Sequence, residues 1–301
     1  MRALVNGVTG QVGGAILKAL SPVVATVSAD RATLDLAQPE RIAETLDRLN
    51  PELIINPAAY TAVDRAEEES EIAFRINADS PGVIAQWAAV HRVPMIHFST
   101  DYVFDGSGTR PWKEGDRPKP LSVYGASKLA GERAIQSAGC SHLIIRTSWV
   151  YAAEGKNFLR TISKLAAENR ELRIVADQIG APTSARCIAE IVAAIVNQPI
   201  EALAARFAAA GGIVNVATSG ETSWHGFAVA IVKGLKARGL PLDVEDIVPI
   251  ATRDYATRAI RPANSRLDLR RLAAVFGIVP PAWDQALVSE LDLVAKDASP
   301  Q

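Results

Sequence analysis

Tyr124 and Lys128 stand four residues apart, a spacing that puts two side chains on one face of a helix. A phenol beside an ammonium is a proton-handling pair. Reducing a ketone requires a hydride donor and an acid that protonates the new alkoxide. A phenol with its ordinary pKa of about 10 is a slow partner at neutral pH. A neighbouring cation favours the phenolate, so Lys128 is expected to lower the Tyr124 pKa. The spacing alone is weak, because surface helices often carry an aromatic residue and a lysine. Its place in the chain adds weight. It follows an apolar run ending in Phe98-Ser99-Thr100-Asp101-Tyr102. A hydroxyl at Thr100 is placed to hydrogen-bond a carbonyl oxygen and assist Tyr124 by stabilising developing negative charge. Ser99, Thr100 and Asp101 are also ordinary turn-formers, and Asp101 is left undecided on position.

A glycine-rich turn, Gly7-Val8-Thr9-Gly10-Gln11-Val12-Gly13, directly follows the first apolar run. Glycine permits positive φ and leaves no Cβ between backbone and ligand. Backbone N–H groups at the start of the next helix, with the helix dipole, favour a pyrophosphate. The spacing is G-x-x-G-x-x-G rather than the G-x-G-x-x-G dinucleotide fingerprint, so a glycine turn with no ligand competes. A strand before and a helix after favour the ligand. The adenosine ribose needs a partner about 20 residues on, where Asp30 and Arg31 stand. An acid there favours a free 2′-hydroxyl and an arginine a 2′-phosphate, so NADH and NADPH are not separated. Asp35 and Leu36 are further candidates beside the adenine. For Asp30 and Arg31 a solvated loop charge is an equal reading.

The elements that must position these residues follow from hydrophobic periodicity. Strands are expected at Ala3–Val5, Val23–Val27, Leu53–Ile55, Pro94–Phe98 and His142–Arg146, with helices at Gln11–Leu20, Arg41–Leu49, much of Glu71–His91, and Val123–Ser137. Pro81 must start or bend a turn within the third of these helices. This alternation predicts an α/β fold, a doubly wound, Rossmann-like parallel sheet covered by helices on both faces. After about Trp149 the rhythm loosens. Helices are expected at Asn157–Glu168, Ser184–Gln198, Ser223–Arg238 and Trp283–Lys296, a strand at Ile213–Val216, and an ordered loop over Tyr255–Leu269. The expected division is a NAD(P)-binding domain over 1–150 and, over 151–301, a mainly substrate-binding lobe with some segments returning to the sheet.

Bulk properties exclude several classes. The 301 residues carry a formal net charge of −1, which gives no general attraction to nucleic acid or anionic membrane. Hydrophobic residues make up 49% and charged residues 22%, an ordinary globular profile. Cys140 and Cys187 lie far apart in sequence and lack metal-ligand spacing with any histidine, so reduced thiols and no metal site are expected. The first residues show no signal peptide, and the longest apolar helix candidate is interrupted by Glu190, so a cytoplasmic location is expected.

Taken together, these features resemble the extended short-chain dehydrogenase/reductases, and within them the dTDP-4-dehydrorhamnose reductase family. The similarity rests on Asn56-Pro57-Ala58-Ala59-Tyr60-Thr61-Ala62-Val63-Asp64, on Ser99 to Gly106, on Tyr124 to Glu132 and on Arg146 to Tyr151. Asp177 to Thr183 and Arg261 to Leu267 extend it over most of the chain. The resemblance implies reduction of the C4 ketone of dTDP-4-dehydro-L-rhamnose to dTDP-L-rhamnose by NADPH or NADH. Tyr124 would be the proton donor, Lys128 its partner and Thr100 the tuning hydroxyl. Gly7, Gly10, Gln11 and Val12 would lie along the pyrophosphate, and Asp35 and Leu36 would flank the adenine. Ala59, Tyr60, Thr61 and Phe98 would line the cofactor. Thr100, Asp101 and Trp149 would contact the sugar, although residue type alone favours a core aromatic at Trp149. Arg261 and Arg266 are candidates for the diphosphate, with a structural ion pair equally open for each.

Two departures qualify that implication. Some members carry a glutamate two residues after the last loop glycine and form metal-bridged dimers through it; here the position is Ala15, which argues against a dimer held that way, and monomer and homodimer both stay open. Ser28 stands where relatives often have an acid, which weakens any strict NADH preference. Two other readings compete. One is a nucleotide-sugar epimerase or dehydratase on the same fold, and the acidic pair typical of a dehydratase is absent because Tyr102 follows Asp101. The other is a non-catalytic regulatory subunit that keeps the cofactor fold.

Overall fold

The computed structural model describes residues 1–298. Apolar runs after turns form β1 (Arg2–Asn6), β2 (Ala25–Ala29), β3 (Leu53–Asn56), β4 (Met95–Thr100) and β5 (His142–Thr147). Between and after them come α1 (Gln11–Leu20), α2 (Ile42–Leu49), α3 (Val63–Ala66), α4 (Ser70–Phe74), α5 (Ser80–His91) and α6 (Val123–Ala138). The second half contributes β6 (Val150–Tyr151), α7 (Phe158–Glu168), β7 (Glu171–Val175), β8 (Ile179–Gly180), β9 (Thr183–Ser184), α8 (Ala185–Val196) and α9 (Ile200–Ala209). It ends with β10 (Ile213–Asn215), β11 (Thr222–Ser223), α10 (Trp224–Lys236), β12 (Asp246–Ile250), α11 (Arg270–Phe276) and α12 (Trp283–Ala298).

Six strands form one sheet in the order β10-β5-β4-β3-β1-β2, and every neighbouring pair is parallel. Burial on both faces explains why Leu53-Ile54-Ile55 and Leu143-Ile144-Ile145 are continuous apolar runs. Ile16 of α1 and Ile188, Ile191 and Val192 of α8 pack on one face. Leu46 of α2, Ile84 and Trp87 of α5 and Ile135 of α6 pack on the other. The chain leaves β1 for β2 on one side and returns to β3 on the other. That reversal opens a crevice beyond the carboxyl ends of β1 and β3. A separate core joins α7, α10 and α12 through Leu159, Ile162, Phe227, Ile231 and Leu291. Residues 185–215, by contrast, belong to the core of the main sheet through α8 and β10.

The expected elements shift in informative ways. The second strand starts at Ala25 rather than Val23, because Val23 and Val24 close a turn on the Leu20 carbonyl at the end of α1. Asn157, Ser184 and Ser223 cap helices instead of joining them, each accepting a hydrogen bond from a backbone N–H three residues on. The expected Glu71–His91 helix contains a π-helical turn over Arg75–Asp79, just before Pro81. Such a wider turn accommodates the missing proline N–H. The short strands β6 to β9, with β11 and β12, lack a long apolar run and were not expected; α9 and α11 were also missed. Tyr255–Leu269 has no long element but is tied down by bridges from Asn264 to Ile179 and from Leu267 to Trp112.

A fully buried ion pair fixes α6 to the sheet. Arg146 of β5 donates Nε to Glu132 Oε1 at 2.8 Å and Nη2 to Glu132 Oε2 at 2.6 Å. Its remaining Nη1 donates to the Glu114 carbonyl at 3.1 Å. Removing one member leaves a buried charge without its partner, which costs about 3–5 kcal/mol. Glu132→Ala is therefore expected to lose about 3–5 kcal/mol in a urea denaturation series. A loss of under about 1 kcal/mol, the range of an exposed pair, would contradict that assignment.

Candidate active site

The glycine turn is held by backbone packing. Gly7 has φ +65°, and a Cβ there would lie 2.8 Å from that of Ala58. A Cβ on Gly13 would lie 2.2 Å from the Gly7 carbonyl oxygen. Both positions therefore require glycine, and the α1 N-terminus opens unobstructed onto the crevice. The cleft there measures about 830 Å³. Gly7, Gly10, Gln11 and Val12 line one end, with Asp35 and Leu36 beyond them. Ala59, Tyr60, Thr61 and Phe98 form the floor. Thr100, Asp101, Tyr124, Lys128 and Trp149 line the far end.

Two close approaches bring Tyr124 to Thr100. Gly125 lets α6 rest on the short turn after β4, where a Cβ would lie 2.2 Å from the Tyr102 carbonyl oxygen. Gly131 does the same against the π turn, with 2.0 Å to the Asn77 carbonyl oxygen. Ser122 caps the helix by accepting from the Gly125 N–H at 3.1 Å. Buried Asn77 then links the two walls. It donates to the Ser127 hydroxyl at 3.0 Å, accepts from the Tyr60 N–H at 2.8 Å and donates to the Tyr60 carbonyl at 3.0 Å.

Burial dominates the electrostatics. The Tyr124 phenol is pushed up to about 12 by burial and raised further by Asp101, against a nearby Thr100 hydroxyl that lowers it. Burial pushes Lys128 down to about 8, with Glu132 one turn along α6 opposing. The causes of the Tyr124 shift are burial first, then Thr100 and Asp101. The hydrogen bond found for the lysine runs to His97 Nε2, at 3.2 Å, and desolvation of the phenol prevails. The result is a protonated phenol at neutral pH, which is the form a proton donor needs. Asp101 is pushed up to about 6 by burial, with Ser265 and Thr100 pulling it back. Thr100 Oγ1 donates to Asp101 Oδ1 at 3.0 Å and accepts from the Tyr102 N–H at 3.2 Å.

Buried polar atoms at this end lack partners among the described residues: Asp101 Oδ2 and the hydroxyls of Ser99, Thr147 and Ser148. All four residues line the cleft. Buried polar groups are ordinarily satisfied, so this end fits a ligand rich in hydroxyls. Trp149 adopts φ +50° and stacks on Trp224 with ring centroids 3.7 Å apart. One of its faces is therefore already covered, and it is at once a core aromatic and a cleft wall.

Arg261 is paired through one nitrogen, and its buried Nη1 has no partner among the described residues. It does not line the cleft; its Nη2 donates to Asp64 Oδ2 at 2.6 Å. Arg266 is likewise held by Glu221 at 2.6 Å. Asp30 accepts from the Thr33 N–H and hydroxyl and closes a turn, whereas Arg31 does line the cleft. Lys156 and Trp224 also line it, and sequence reading missed both. Lys156 sits in a loop whose end, Asn157, donates to Gln11 at 2.9 Å across the cleft. No local motif announces that contact, which joins residues 146 apart in the chain.

The model of the RmlD substrate binding domain matches residues 1–295. A dTDP-4-dehydrorhamnose reductase of Burkholderia thailandensis is 45% identical over 292 residues, covering 95% of this chain and 97% of that protein. A crystal structure of a dTDP-4-dehydrorhamnose reductase from Clostridium acetobutylicum matches with a TM-score of 0.88 at 32% identity, over 98% of this chain and 99% of that one. The Bacillus anthracis dTDP-4-dehydrorhamnose reductase in complex with NADP matches with a TM-score of 0.87 at 29% identity, over 97% and 98% of the two chains. The chain belongs to the dTDP-4-dehydrorhamnose reductase family.

Proposed function

We propose that this protein reduces the C4 ketone of dTDP-4-dehydro-L-rhamnose to dTDP-L-rhamnose with NADPH or NADH. One observation carries the chemistry. A buried, protonated Tyr124 stands beside Thr100 in the same cleft as an uncapped glycine turn. The nicotinamide, when bound, supplies the hydride. The α1 N-terminus accepts the pyrophosphate through the first-turn N–H groups that a helix leaves without an internal acceptor, beside a glycine turn that places no Cβ over them. Asp35 and Leu36 hold the adenine end, with Arg31 beside them. Phe98 and the Ala59–Thr61 wall exclude water along the cleft.

At the reacting end, Thr100 and Tyr124 orient the carbonyl oxygen. Tyr124 gives its hydroxyl proton to the alkoxide as it forms, and the new C4 hydroxyl replaces the phenolic O–H. Asp101, Ser99, Thr147 and Ser148 take the sugar hydroxyls, and the free edge of Trp149 lies against its methyl group. Residues 1–150 hold the cofactor, and the substrate side is completed from 151–301 through Trp224 and Lys156. Arg261 acts indirectly, by holding Asp64 next to Val63 of the cleft wall. A cytoplasmic location fits this reading.

Loss of NADPH absorbance on adding dTDP-4-dehydro-L-rhamnose to the purified protein tests the reaction. Cofactor binding without oxidation would favour a regulatory role. Tyr124→Phe is expected to lower kcat about 10²–10⁴-fold, the usual size of general-acid catalysis, with cofactor Kd within about twofold. Turnover like that of the wild type would remove Tyr124 from its role. Asp101 gives a pH test. Its folded pKa of about 6 exceeds the ordinary 3.8, so its protonated form is favoured by folding. Its stabilising contribution is complete below about pH 4 and is lost as pH rises through about 6, a change on the order of 3 kcal/mol. Asp101→Asn is expected to be more stable than wild type at pH 8, with the gap closing toward pH 4. Thermal unfolding that shows a pH-independent gap would contradict this origin of the shift.

A further inference from the structure

Among the described residues, three that are not glycine take a left-handed backbone: Asn50, Arg92 and Trp149. Asn50 and Arg92 end α2 and α5, where a left-handed cap is ordinary. Trp149 caps no helix. It lies between β5 and β6 at φ +50°, where a bulky side chain crowds its own backbone. Such a conformation persists only where its surroundings over-determine it, and such residues cluster at binding and catalytic sites. Trp149 lines the cleft directly after Thr147 and Ser148, whose buried hydroxyls have no partner among the described residues.

Three contacts surround this residue. Trp224 stacks on one face of the ring, with centroids 3.7 Å apart and planes 11° from parallel. Gly180 leaves room for the ring, since a Cβ there would lie 2.7 Å from Trp149 Cε2 and 3.0 Å from Cζ2. The Trp149 carbonyl accepts the Thr183 N–H at 3.1 Å. The two-residue strands supply all three. β8 carries Gly180 and pairs with β11, which runs straight into Trp224 at the start of α10. β9 carries Thr183 and pairs with β6, which follows Trp149. Gly180 only permits the ring and Thr183 holds only the backbone, so the stack is the contact that attracts the ring itself. Trp224 is in turn fixed from behind. Its Nε1–H donates to Gln178 Oε1 at 3.1 Å, and Gln178 Nε2 donates to Thr252 Oγ1 at 3.1 Å. Phe158 packs beside it with ring centroids 4.6 Å apart.

We propose that Trp224 is a positioning residue for the sugar-nucleotide substrate: by stacking, it holds Trp149 in the strained turn and so fixes the wall that the sugar meets. Without the stack, the Trp149 backbone relaxes toward the extended region and its ring leaves the end of the cleft that holds Thr100 and Tyr124. A substrate must then order the ring as it binds, which weakens binding rather than slowing the chemical step. The cofactor end, lined by Gly10, Asp35 and Leu36, is unaffected.

The effect on the substrate rests on the reductase reading; the holding of Trp149 does not, and it is measured on the protein alone. Indole 15N–1H correlation NMR gives one signal for each of the five tryptophans, and the signal missing in Trp149→Phe is that of Trp149. It is expected to be sharp in the wild type and in Trp224→Phe, which keeps a ring to stack. In Trp224→Leu it is expected to broaden through exchange, with the signals of Trp87 and Trp112 unchanged. A Trp149 signal as sharp in Trp224→Leu as in the wild type overturns the proposal. In turnover of dTDP-4-dehydro-L-rhamnose, Trp224→Leu is expected to raise KM about three- to tenfold, the size of a stacked aromatic pair, with kcat and cofactor Kd within about twofold. Trp224→Phe is expected to recover most of that loss. Added to Trp149→Leu, Trp224→Leu is expected to bring no further rise, because it acts only through that ring. Additive losses would mean that Trp224 acts on the sugar by itself, and an equal rise in cofactor Kd would mean a merely structural role; either overturns the proposal. If Trp224→Leu does not fold, Trp224→Met, which keeps apolar volume without a flat ring, takes its place with the same expectations. If no substrate is turned over, the NMR result stands apart from the failure of the reductase reading.

Discussion

Taking a phenol and an amine out of water, one helical turn apart, is the constraint around which the rest of the molecule is organised. Desolvation disfavours the charged form of each group. It raises Tyr124 to about 12 and lowers Lys128 to about 8. A buried pair of this kind holds its geometry only where the helix that carries it cannot move. Backbone contact at Gly125 and Gly131 brings α6 against the strand ends, and the Glu132–Arg146 pair locks it to β5. Asn77, offered by the π turn, ties the same helix to the Tyr60 wall. The chemistry and the packing thus use adjacent turns of one helix.

The cleft also depends on the second half of the chain. Trp224 of α10 covers one face of Trp149 and donates to Gln178 at 3.1 Å, while Gly180 leaves room beneath the Trp149 ring. Asp177 accepts from the Thr252 N–H at 2.9 Å, which ties the segment from Asp177 to Thr183 to the chain just after β12. Among the described residues no single helix is long and apolar enough to cross a membrane.

Much of this was legible in the sequence. The Leu-Ile-Ile runs, the glycine turn and the Tyr124–Lys128 spacing are local patterns with local physical causes, and they located the parallel sheet and most of the cleft. What escaped reading is set by distant partners. Arg261 has the right chemistry for a diphosphate, and nothing in its local sequence announces that its Nη2 is held by Asp64, 197 residues away in the chain. Trp224 reads as an ordinary helix start. The two-residue strands are too short for any periodicity. Helical spacing reports which side chains share a face and is silent on desolvation, so the burial that dominates at Tyr124 was not legible in it.

The central claim is that burial keeps Tyr124 protonated and ready to donate. It is tested directly by ultraviolet difference titration of tyrosinate in the wild type and in Tyr124→Phe. The account predicts coincident curves through pH 9, because the missing residue ionises only at about 12. A phenolate signal between pH 6 and 9 that is present in the wild type and absent in the variant would contradict it.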